Sequence, residues 1–460
     1  MVTPATPRTV AGTSGGRRTA VPATGRKRAL FVVLTALVGL AWFAADRLLV
    51  DRRPIVVGIL HSQTGSMAVS EQSLADAEVL ALEEINRAGG LMGRPVRWVI
   101  ADGGSDEPTF ARQAERLIRE EHVSVIFGCW TSASRRSVLP VVESANHLLV
   151  YPMASEGLEQ APNVVFTGAA PNQQVTPAVQ WSHDTLSARR FLLVGTDSIR
   201  PHCINAIAAD QIAGVGAEIV AELYVPPGSS AVEDVVRRIV DTRPDVVLCS
   251  LAGDSAIAFF SQLRAAGVGP EQTPVITVSQ AEDELGTMAP ADMAGHYAVW
   301  GYFQSIDNPE NLSFVRAFKA RYGDRRPTSD GIATAYDSVR LWAQAVREAQ
   351  TADPRQVRHA MRHQSIESPA GIIAVDPETQ YTWRPVFIGR ARADGQFDIV
   401  WTSRTAVRPV PFPLSRSRSA WKSFVDGLRL GWHGGWAAPA GPPSRLPGVA
   451  VPPRGEERTP

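Results

Sequence analysis

The fold is decided by the stretch at residues 55–90, which reads IVVGILHSQTGSMAVSEQSLADAEVLALEEINRAGG. Its first six residues are apolar apart from one glycine, as in a strand that is buried on both faces. A polar junction follows, and apolar residues then recur at helical spacing, namely Leu74, Ala77, Ala81, Leu82 and Ile85. We expect Ser70 to cap this helix and Gly89 to end it. The stretch therefore predicts a buried strand that leads into an amphipathic helix.

The same alternation of short apolar runs and helical patterns continues along the chain. The runs of strand length lie at residues 55–60, 96–100, 123–127, 148–151, 191–194, 219–224, 246–250 and 275–278. Such a βαβ series is typical of an α/β fold whose parallel sheets are doubly wound, with helices on both faces. A chain of 460 residues has room for two such lobes.

The charges are balanced over the whole chain, with 46 basic and 46 acidic residues, but they are unevenly placed. Residues 54–402 carry 28 basic and 41 acidic groups, a net charge of 28 − 41 = −13, whereas both ends of the chain are basic. Binding to nucleic acid requires clustered Lys and Arg against the phosphates, so this acidic core excludes a nucleic-acid partner.

No motif in the chain indicates catalysis, a metal or a cofactor. A nucleophile elbow, a phosphate-binding loop and a zinc-protease motif are all missing, so we predict a protein that is not an enzyme and has no cofactor. The cysteines Cys129, Cys203 and Cys249 lie in or beside apolar runs, which favours buried thiols over a metal site. A hydrolytic arrangement of Ser132, His61 and Asp102 is the catalytic alternative left open.

An uncharged run, ALFVVLTALVGLAWFAA at residues 29–45, follows a basic N-terminus at residues 1–28. Its length is close to that of a transmembrane helix, and residues 29–50 are expected to be an uncleaved anchor or a signal segment. The basic residues before the run place the N-terminus in the cytoplasm. The acidic core then lies outside the inner membrane, in the periplasm, whether tethered or released by cleavage.

The junctions at the carboxyl ends of the strands are small, polar or aromatic. They lie at residues 61–66, 102–105, 128–132 and 151–154. Ligands of open α/β sheets bind beyond the carboxyl ends of the strands, where helix N-termini expose backbone N–H groups. We therefore expect a ligand site at these junctions.

Read in order, six segments resemble the urea- and short-chain-amide-binding branch of the type 1 periplasmic binding proteins, within the Leu/Ile/Val-binding family. They are VGILHSQTGSMAVSE (57–71), FGCWTSASRRSVLPVVE (127–143), FTGAAPNQQ (166–174), GDSAIAFFSQL (253–263), GHYAVWGYFQSIDNPEN (295–311) and WRPVFIGRARADGQFDIVW (383–401). The resemblance implies two α/β lobes within residues 54–403, joined by three hinge crossings. Lobe 1 is expected at about 54–170 and 298–363, and lobe 2 at about 171–297 and 364–403.

In this family the first lobe contacts the ligand through its strand ends. By resemblance, the corresponding residues here are Trp130, Thr131, Ser132, Tyr151, Met153 and Ala154. Ser62, in the first strand-end junction, is a further candidate ligand contact. Hydroxyl groups and backbone amides over an aromatic floor suit a small polar solute. Other readings stay open, because Trp130 and Tyr151 are also placed as core aromatics and Ser132 as a helix N-cap.

The second lobe departs from the urea and amide binders. Ser198 stands where those proteins have a tyrosine, and Arg200 follows two residues later, either as a carboxylate ligand or as a solvated surface residue. Asp254, and Glu282 or its neighbour Asp283, are further candidates for accepting hydrogen bonds from ligand N–H groups. Helix capping is the alternative role for these acids.

The family resemblance implies the solute-binding component of an ABC importer, with the permease subunits as partners and urea, an amide or an amino acid as the solute. The alternative is a membrane-tethered sensor that reports occupancy to a signalling partner. The tail at residues 404–460 is rich in Pro, Arg and Trp. It predicts a short helix at about 419–430 and a disordered end over the last twenty residues. The helix is expected to pack back on a lobe, with the membrane surface or a partner protein as the alternatives.

Overall fold

The computed structural model describes residues 53–438, together with Gly12 and Thr35. The basic N-terminus, the apolar run at 29–45 and the last twenty residues otherwise lie outside the described residues, so the expected anchor and the expected disordered end stay predictions. Among the residues that are described, no helix combines the length and apolarity that crossing a membrane requires.

The strands alternate with helices over most of the chain. The strands are β1 (Ile55–His61), β2 (Val96–Asp102), β3 (Ile126–Gly128), β4 (Leu149–Tyr151), β5 (Val164–Phe166), β6 (Arg190–Thr196), β7 (Glu218–Val225), β8 (Val246–Ser250), β9 (Val275–Thr277), β10 (Tyr297–Trp300), β11 (Ser365–Ser368), β12 (Gly371–Val375), β13 (Thr382–Trp383), β14 (Phe387–Ala391) and β15 (Phe397–Thr402). The helices are α1 (Ala68–Arg87), α2 (Glu107–Arg119), α3 (Ser132–Ser144), α4 (Val175–Thr185), α5 (Ile199–Gly214), α6 (Glu233–Thr242), α7 (Asp254–Ala265), α8 (Glu282–Leu285), α9 (Pro290–Met293), α10 (Pro309–Tyr322), α11 (Asp330–Ala349), α12 (Pro354–Met361) and α13 (Arg418–Gly431).

The strands form two large sheets, and each large sheet is the centre of one lobe. The first has the order β2-β1-β3-β4-β5 and is parallel throughout. The second has the order β15-β14-β10-β9-β8-β6-β7, with β14 and β15 antiparallel to their neighbours. This arrangement confirms the predicted α/β fold with parallel sheets, and every predicted strand run overlaps one of the observed strands.

Helix α1 carries the apolar face that its spacing predicts, because Leu74, Ala77, Ala81, Leu82 and Ile85 are all buried. Its predicted N-cap was wrong. The helix begins at Ala68 rather than after Ser70, and Met67 occupies the N-cap position without a side-chain cap. The neighbouring loop replaces the cap, because the backbone N–H of Met67 donates to Ser105 Oγ at 3.0 Å.

The lobes differ from the expected boundaries in two places. Strand β10, expected to begin the return to lobe 1, lies in the second sheet between β9 and β14. Strand β12, expected in lobe 2, contributes Ile373 and Val375 to the core of the first lobe, together with residues of α10, α11 and α12. The segment from Tyr302 to Val375 therefore packs on the first lobe.

Strands β11, β12 and β13 form a separate small sheet on the first lobe. Over residues 53–438, the polypeptide therefore crosses between the two lobes three times, after β5, after β10 and before β14. One buried ion pair connects these crossings. Arg384 donates to Asp330 Oδ1 at 2.7 Å and to the carbonyl of Thr167 at 3.1 Å, and Gly301 N–H donates to the same Asp330 oxygen at 3.0 Å. Gly301 must lack a side chain, since a Cβ there would lie 2.3 Å from Arg384 Nε.

Candidate ligand-binding site

A cavity of about 290 Å³ lies between the carboxyl ends of the two sheets. Seven of the predicted ligand contacts line it, namely Trp130, Thr131, Ser132, Met153, Ala154, Ser198 and Arg200. The first five belong to the first lobe and the last two to the second. These residues meet in one cavity because they lie beyond the carboxyl ends of the strands, where ligands of open α/β sheets bind.

The turn after β3 directs Trp130 and Thr131 toward the cavity. Gly128 has a φ of 146°, and a Cβ at this position would lie 2.1 Å from the carbonyl oxygen of Leu60. Cys129 follows with a left-handed φ of 64°, and its N–H donates to the same carbonyl at 2.9 Å. The strand therefore ends in a sharp kink that only glycine permits. Thr131 then caps α3, because its hydroxyl oxygen accepts from Ser134 N at 2.9 Å.

The three cysteines are buried and free, as predicted from their apolar surroundings.

Tyr151, one of the predicted ligand contacts, does not reach the cavity. Its ring is completely buried and its hydroxyl donates to the carbonyl of Trp130 at 2.8 Å. The side chain thus supports the cavity wall from behind, which is the core role left open for it. Trp130 itself is half-buried on the wall.

Ser132 is the first residue of α3 and not its cap, so the N-cap alternative for this residue was wrong. Its hydroxyl donates to Glu156, which also pairs with Arg135 at 3.1 Å and Arg136 at 3.0 Å. Burial alone would raise the pKa of Glu156, but the two guanidinium groups outweigh burial and lower it to about 2. Ser132 is therefore held by a buried ionic cluster at the edge of the cavity.

Arg200 provides the positive charge of the second-lobe wall. Its guanidinium is half-buried and donates to Gln174 Oε1 at 2.9 Å, to the carbonyl of Val278 at 3.0 Å and to Ser279 Oγ at 3.4 Å. Within residues 53–438, no carboxylate lies within ion-pair distance of Arg200. Burial lowers the pKa of this guanidinium, although an arginine stays charged in a protein.

Besides Tyr151, three predicted contacts lie away from the cavity. Ser62 is buried, and its hydroxyl accepts from Ser105 N at 2.9 Å, so it organises the loop behind the wall. Asp254 is exposed at the start of α7. Glu282 is buried near the second hinge crossing, where it accepts from Gln304 N at 2.7 Å, and burial raises its pKa to about 8. Asp283, the alternative to Glu282, is also absent from the lining.

Several lining residues were missed. Ser66 and Ser105 stand in the quoted junctions, so their position after a strand was a usable signal. Further lining residues are Met67, Glu71, Asp106, Glu107, Phe110, Thr196, Ser279, Trp300 and Ala437. Glu71 is four positions into α1, Trp300 ends a strand that was not predicted, and Ala437 lies in the tail. No spacing rule connects these residues to the junctions.

The hydrolytic alternative, with Ser132, His61 and Asp102 acting together, was wrong. Ser132 bonds to Glu156, and Asp102 accepts from the hydroxyl of Thr64 at 2.7 Å. His61 lies instead between two carboxylates, with Nε2 3.1 Å from Glu78 Oε1 and Nδ1 3.5 Å from Glu71 Oε2. In the part of the chain that the structure describes, no cluster of His, Cys, Asp or Glu is arranged to hold a metal ion.

The buried His61 predicts a pH dependence of stability. Burial lowers the pKa of His61, but Glu78 and Glu71 outweigh burial and raise it from 6.5 to about 9. A raised pKa stabilises the folded state fully below pH 6.5, and this stabilisation is lost as the pH rises through about 9. Urea denaturation at a series of pH values should show the free energy of unfolding falling over this window.

The His61→Gln variant should lose most of that fall, because glutamine does not titrate. The matched control is His359→Gln, which changes an exposed histidine on α12 and should keep the fall. Identical pH profiles for the native chain and His61→Gln would contradict a charged His61 between the two glutamates.

The chain matches the family model described as periplasmic binding protein domain over residues 55–418. It is similar to the Leu/Ile/Val-binding protein homolog 8 of Brucella abortus (strain 2308), at 22% identity over 388 residues that cover 77% of this chain and 92% of that protein. Its fold is similar to that of a solute binding protein of an ABC transporter from Rhodopseudomonas palustris BisB5, solved with 3,4-dihydroxy benzoic acid. The TM-score is 0.70 at 21% identity, over 78% of this chain and 99% of that chain.

A third similarity is partial. The limonene hydroxylase of Geobacillus stearothermophilus is 36% identical over 141 residues, which are 29% of this chain. The chain thus matches about a quarter of that relative, 26% of its length. The family match, in contrast, extends over both lobes and the cleft between them. The chain therefore belongs to the type 1 periplasmic binding proteins of ABC transporters, the Leu/Ile/Val-binding type, and it is a binding protein and not an enzyme.

Proposed function

We propose that this protein is the extracytoplasmic solute-binding component of an ABC importer for a small solute that carries a carboxylate, either an amino acid or an aromatic acid. The observation that carries the proposal is the guanidinium of Arg200, which faces the cleft without a carboxylate partner among the described residues. A buried charge is costly unless it is paired, so an anionic ligand is the natural counter-charge.

The donors of Arg200 support this ligand class. A guanidinium has five N–H donors, and three of the hydrogen bonds they make are directed to Gln174, Val278 and Ser279. Two N–H groups are left for a ligand. Charge-assisted hydrogen bonds from arginine to a carboxylate are short and about twice as strong as neutral ones. The hydroxyl of Ser198, which caps no backbone N–H of α5, is available beside them.

The remaining walls suit the other end of such a solute. Phe110, Trp130 and Trp300 offer apolar and aromatic surface. The carboxylate of Glu107 also lines the cavity and has no hydrogen-bond or ion-pair partner among the described residues. An amino acid would place its ammonium near this acid, whereas an aromatic acid would use the aromatic walls. The names of the similar proteins include both ligand classes.

Urea and short amides, which the sequence resemblance suggests, are less suited to this cavity. Either solute would leave the charge of Arg200 unpaired after closure. A volume of about 290 Å³ also exceeds what such small molecules fill, whereas it is near the lower end of ordinary ligand pockets, about 300 Å³. We therefore propose the carboxylate class and keep urea and acetamide as competing test ligands.

A thermal-shift screen with calorimetry on the hits tests the proposal. The panel is leucine, isoleucine, valine, benzoate and 3,4-dihydroxybenzoate, each with its neutral amide, together with urea and acetamide. We expect at least one carboxylate to stabilise the protein, by about 2.7 kcal/mol at a hundredfold excess over its Kd. Its neutral amide should bind far more weakly. Stabilisation by urea or acetamide with none by a carboxylate would overturn the proposal.

We propose that the two lobes close on the solute by rotating about the hinge crossings. The lobes are joined by three crossings, and a ligand that contacts both walls shifts the population toward the closed form. The permease subunits are proposed to bind that closed form. The run at residues 29–45 is proposed to tether the binding lobes outside the membrane.

A further inference from the structure

The tail returns to the ligand cleft after leaving the second sheet. Helix α13 packs on the second lobe, where Trp421, Val425 and Leu428 are buried in the same core as residues of α5. Trp432 is buried just after the helix and adds to this core. The observed helix confirms the one that the apolar spacing at 419–430 predicts, and it packs back on a lobe, as the first of the three alternatives expects. The chain then continues to the mouth of the cavity.

Residues 436–438 pair with the backbone that carries the second-lobe wall. Ile199 N–H donates to the carbonyl of Trp436 at 2.9 Å, and Ala438 N–H donates to the carbonyl of Asp197 at 2.9 Å. Ser198 and Ala437 thus form an antiparallel bridge, and Ala437 lines the cavity. The tail therefore lies directly beside two residues of the proposed site, Ser198 and Arg200.

The same segment reaches the first lobe. The guanidinium carbon of Arg136, on α3, lies 4.9 Å from the ring centroid of Trp436. Arg429 of α13 approaches that ring at 4.8 Å. Arg136 is in turn fixed by ion pairs to Glu156 at 3.0 Å and to Glu159 at 3.3 Å. Trp436 is consequently held by the second lobe through its backbone and by the first lobe through its ring.

This contact is additional to the matched family domain. The family match ends at residue 418, so α13 after its first residue and the segment that follows it lie beyond the matched domain. A cation–π contact is strongest when the cation is desolvated, and the side chain of Arg136 is only 9% exposed. The contact therefore joins the two lobes beside the cavity that Ala437 lines.

We propose that residues 432–438 form a cleft strap in which Trp436 holds the two lobes in the closed arrangement and Ala437 is a specificity-determining part of the cavity wall. The role of Ala437 in specificity rests on the proposed function, whereas the role of Trp436 in closure does not. Removal of the strap should open the unliganded protein and weaken the binding of any solute that needs closure.

Two truncations of the full chain form a matched pair. A stop after Ala438 removes residues 439–460 and leaves the strap, whereas a stop after Gly435 also removes Trp436, Ala437 and Ala438 but keeps the buried Trp432. Small-angle X-ray scattering should give a larger radius of gyration for the shorter chain only. Calorimetry with the carboxylate that binds the full chain should show affinity weakened roughly tenfold in the shorter chain and unchanged in the longer one.

Point variants separate the strap from a general loss of folding. Trp436→Ala should behave as the shorter chain, and Trp436→Phe should recover part of the closure because a phenylalanine ring still binds a cation. The control is Leu430→Ala, which changes an exposed residue of the same tail. Equal radii and equal affinities in all variants would overturn the strap. An opened Trp436→Ala chain would support it even if no carboxylate binds the full chain, a result that would contradict the proposed function alone.

Discussion

Arg200→Met is expected to weaken carboxylate binding by at least about a hundredfold. Hydrogen bonds to a charged group contribute about 1.5–3 kcal/mol each, and Arg200 has two N–H donors that no protein group among the described residues accepts. The loss should appear in the Kd measured by calorimetry, with the best carboxylate of the panel. The fold should be kept, because methionine fills a similar volume without the charge.

Two further variants define the cause of that loss. Arg200→Lys keeps a positive charge but not the planar fork, so we expect an intermediate affinity. Arg238→Met removes an exposed arginine on α6 of the same lobe and should leave the Kd unchanged. If Arg200→Met and Arg238→Met bind the carboxylate equally well, Arg200 is not the counter-charge and another group must hold the solute.

Arg384→Met is expected to lower the free energy of unfolding by about 3–5 kcal/mol, because it leaves the buried carboxylate of Asp330 without its charge partner. Both side chains of this pair are almost inaccessible, at 3% and 1% exposure. The same change removes the hydrogen bond to Thr167 in the first hinge crossing. Urea denaturation followed by circular dichroism measures the loss.

The double variant Asp330→Asn with Arg384→Met should recover part of the stability, since it removes both buried charges. An exposed pair is the control. Arg237 and Asp234 on α6 are 67% and 83% exposed, so Arg237→Met should cost less than about 1 kcal/mol. A similarly small loss for Arg384→Met would show that the hinge crossings do not depend on this ion pair.

The buried strands were predictable because the signal for them is local in the sequence. Strands such as β1, β6 and β8 are buried on both faces, so they appear in the sequence as continuous apolar runs. Strand β15 was missed because most of its residues are exposed or half-exposed, with Phe397 alone fully buried. Strands β11 and β13 are likewise short and partly exposed. Such strands form through their neighbours rather than through their own apolarity.

The candidate site was predictable where its residues follow a strand end, but the direction of each side chain was not. Trp130, Thr131 and Ser132 follow a strand end, and the general geometry of α/β sheets places such residues at the ligand. Tyr151 also ends a strand, yet its side chain points into the core, because successive residues of a strand face opposite sides. The apolar run at residues 148–151 did not reveal whether the tyrosine side chain faces the core or the cavity.

The sequence by itself determined the α/β class, the strand ends of the first lobe and the cation Arg200 in the second. Only the tertiary structure decided how the hinge and the cleft are held. Arg384 bonds to a residue 217 positions away, and the ring of Trp436 lies on an arginine of the other lobe. Spacing along the chain encodes a helix face or a strand because these are local. Contacts between distant segments depend on how whole lobes pack, which no local pattern specifies.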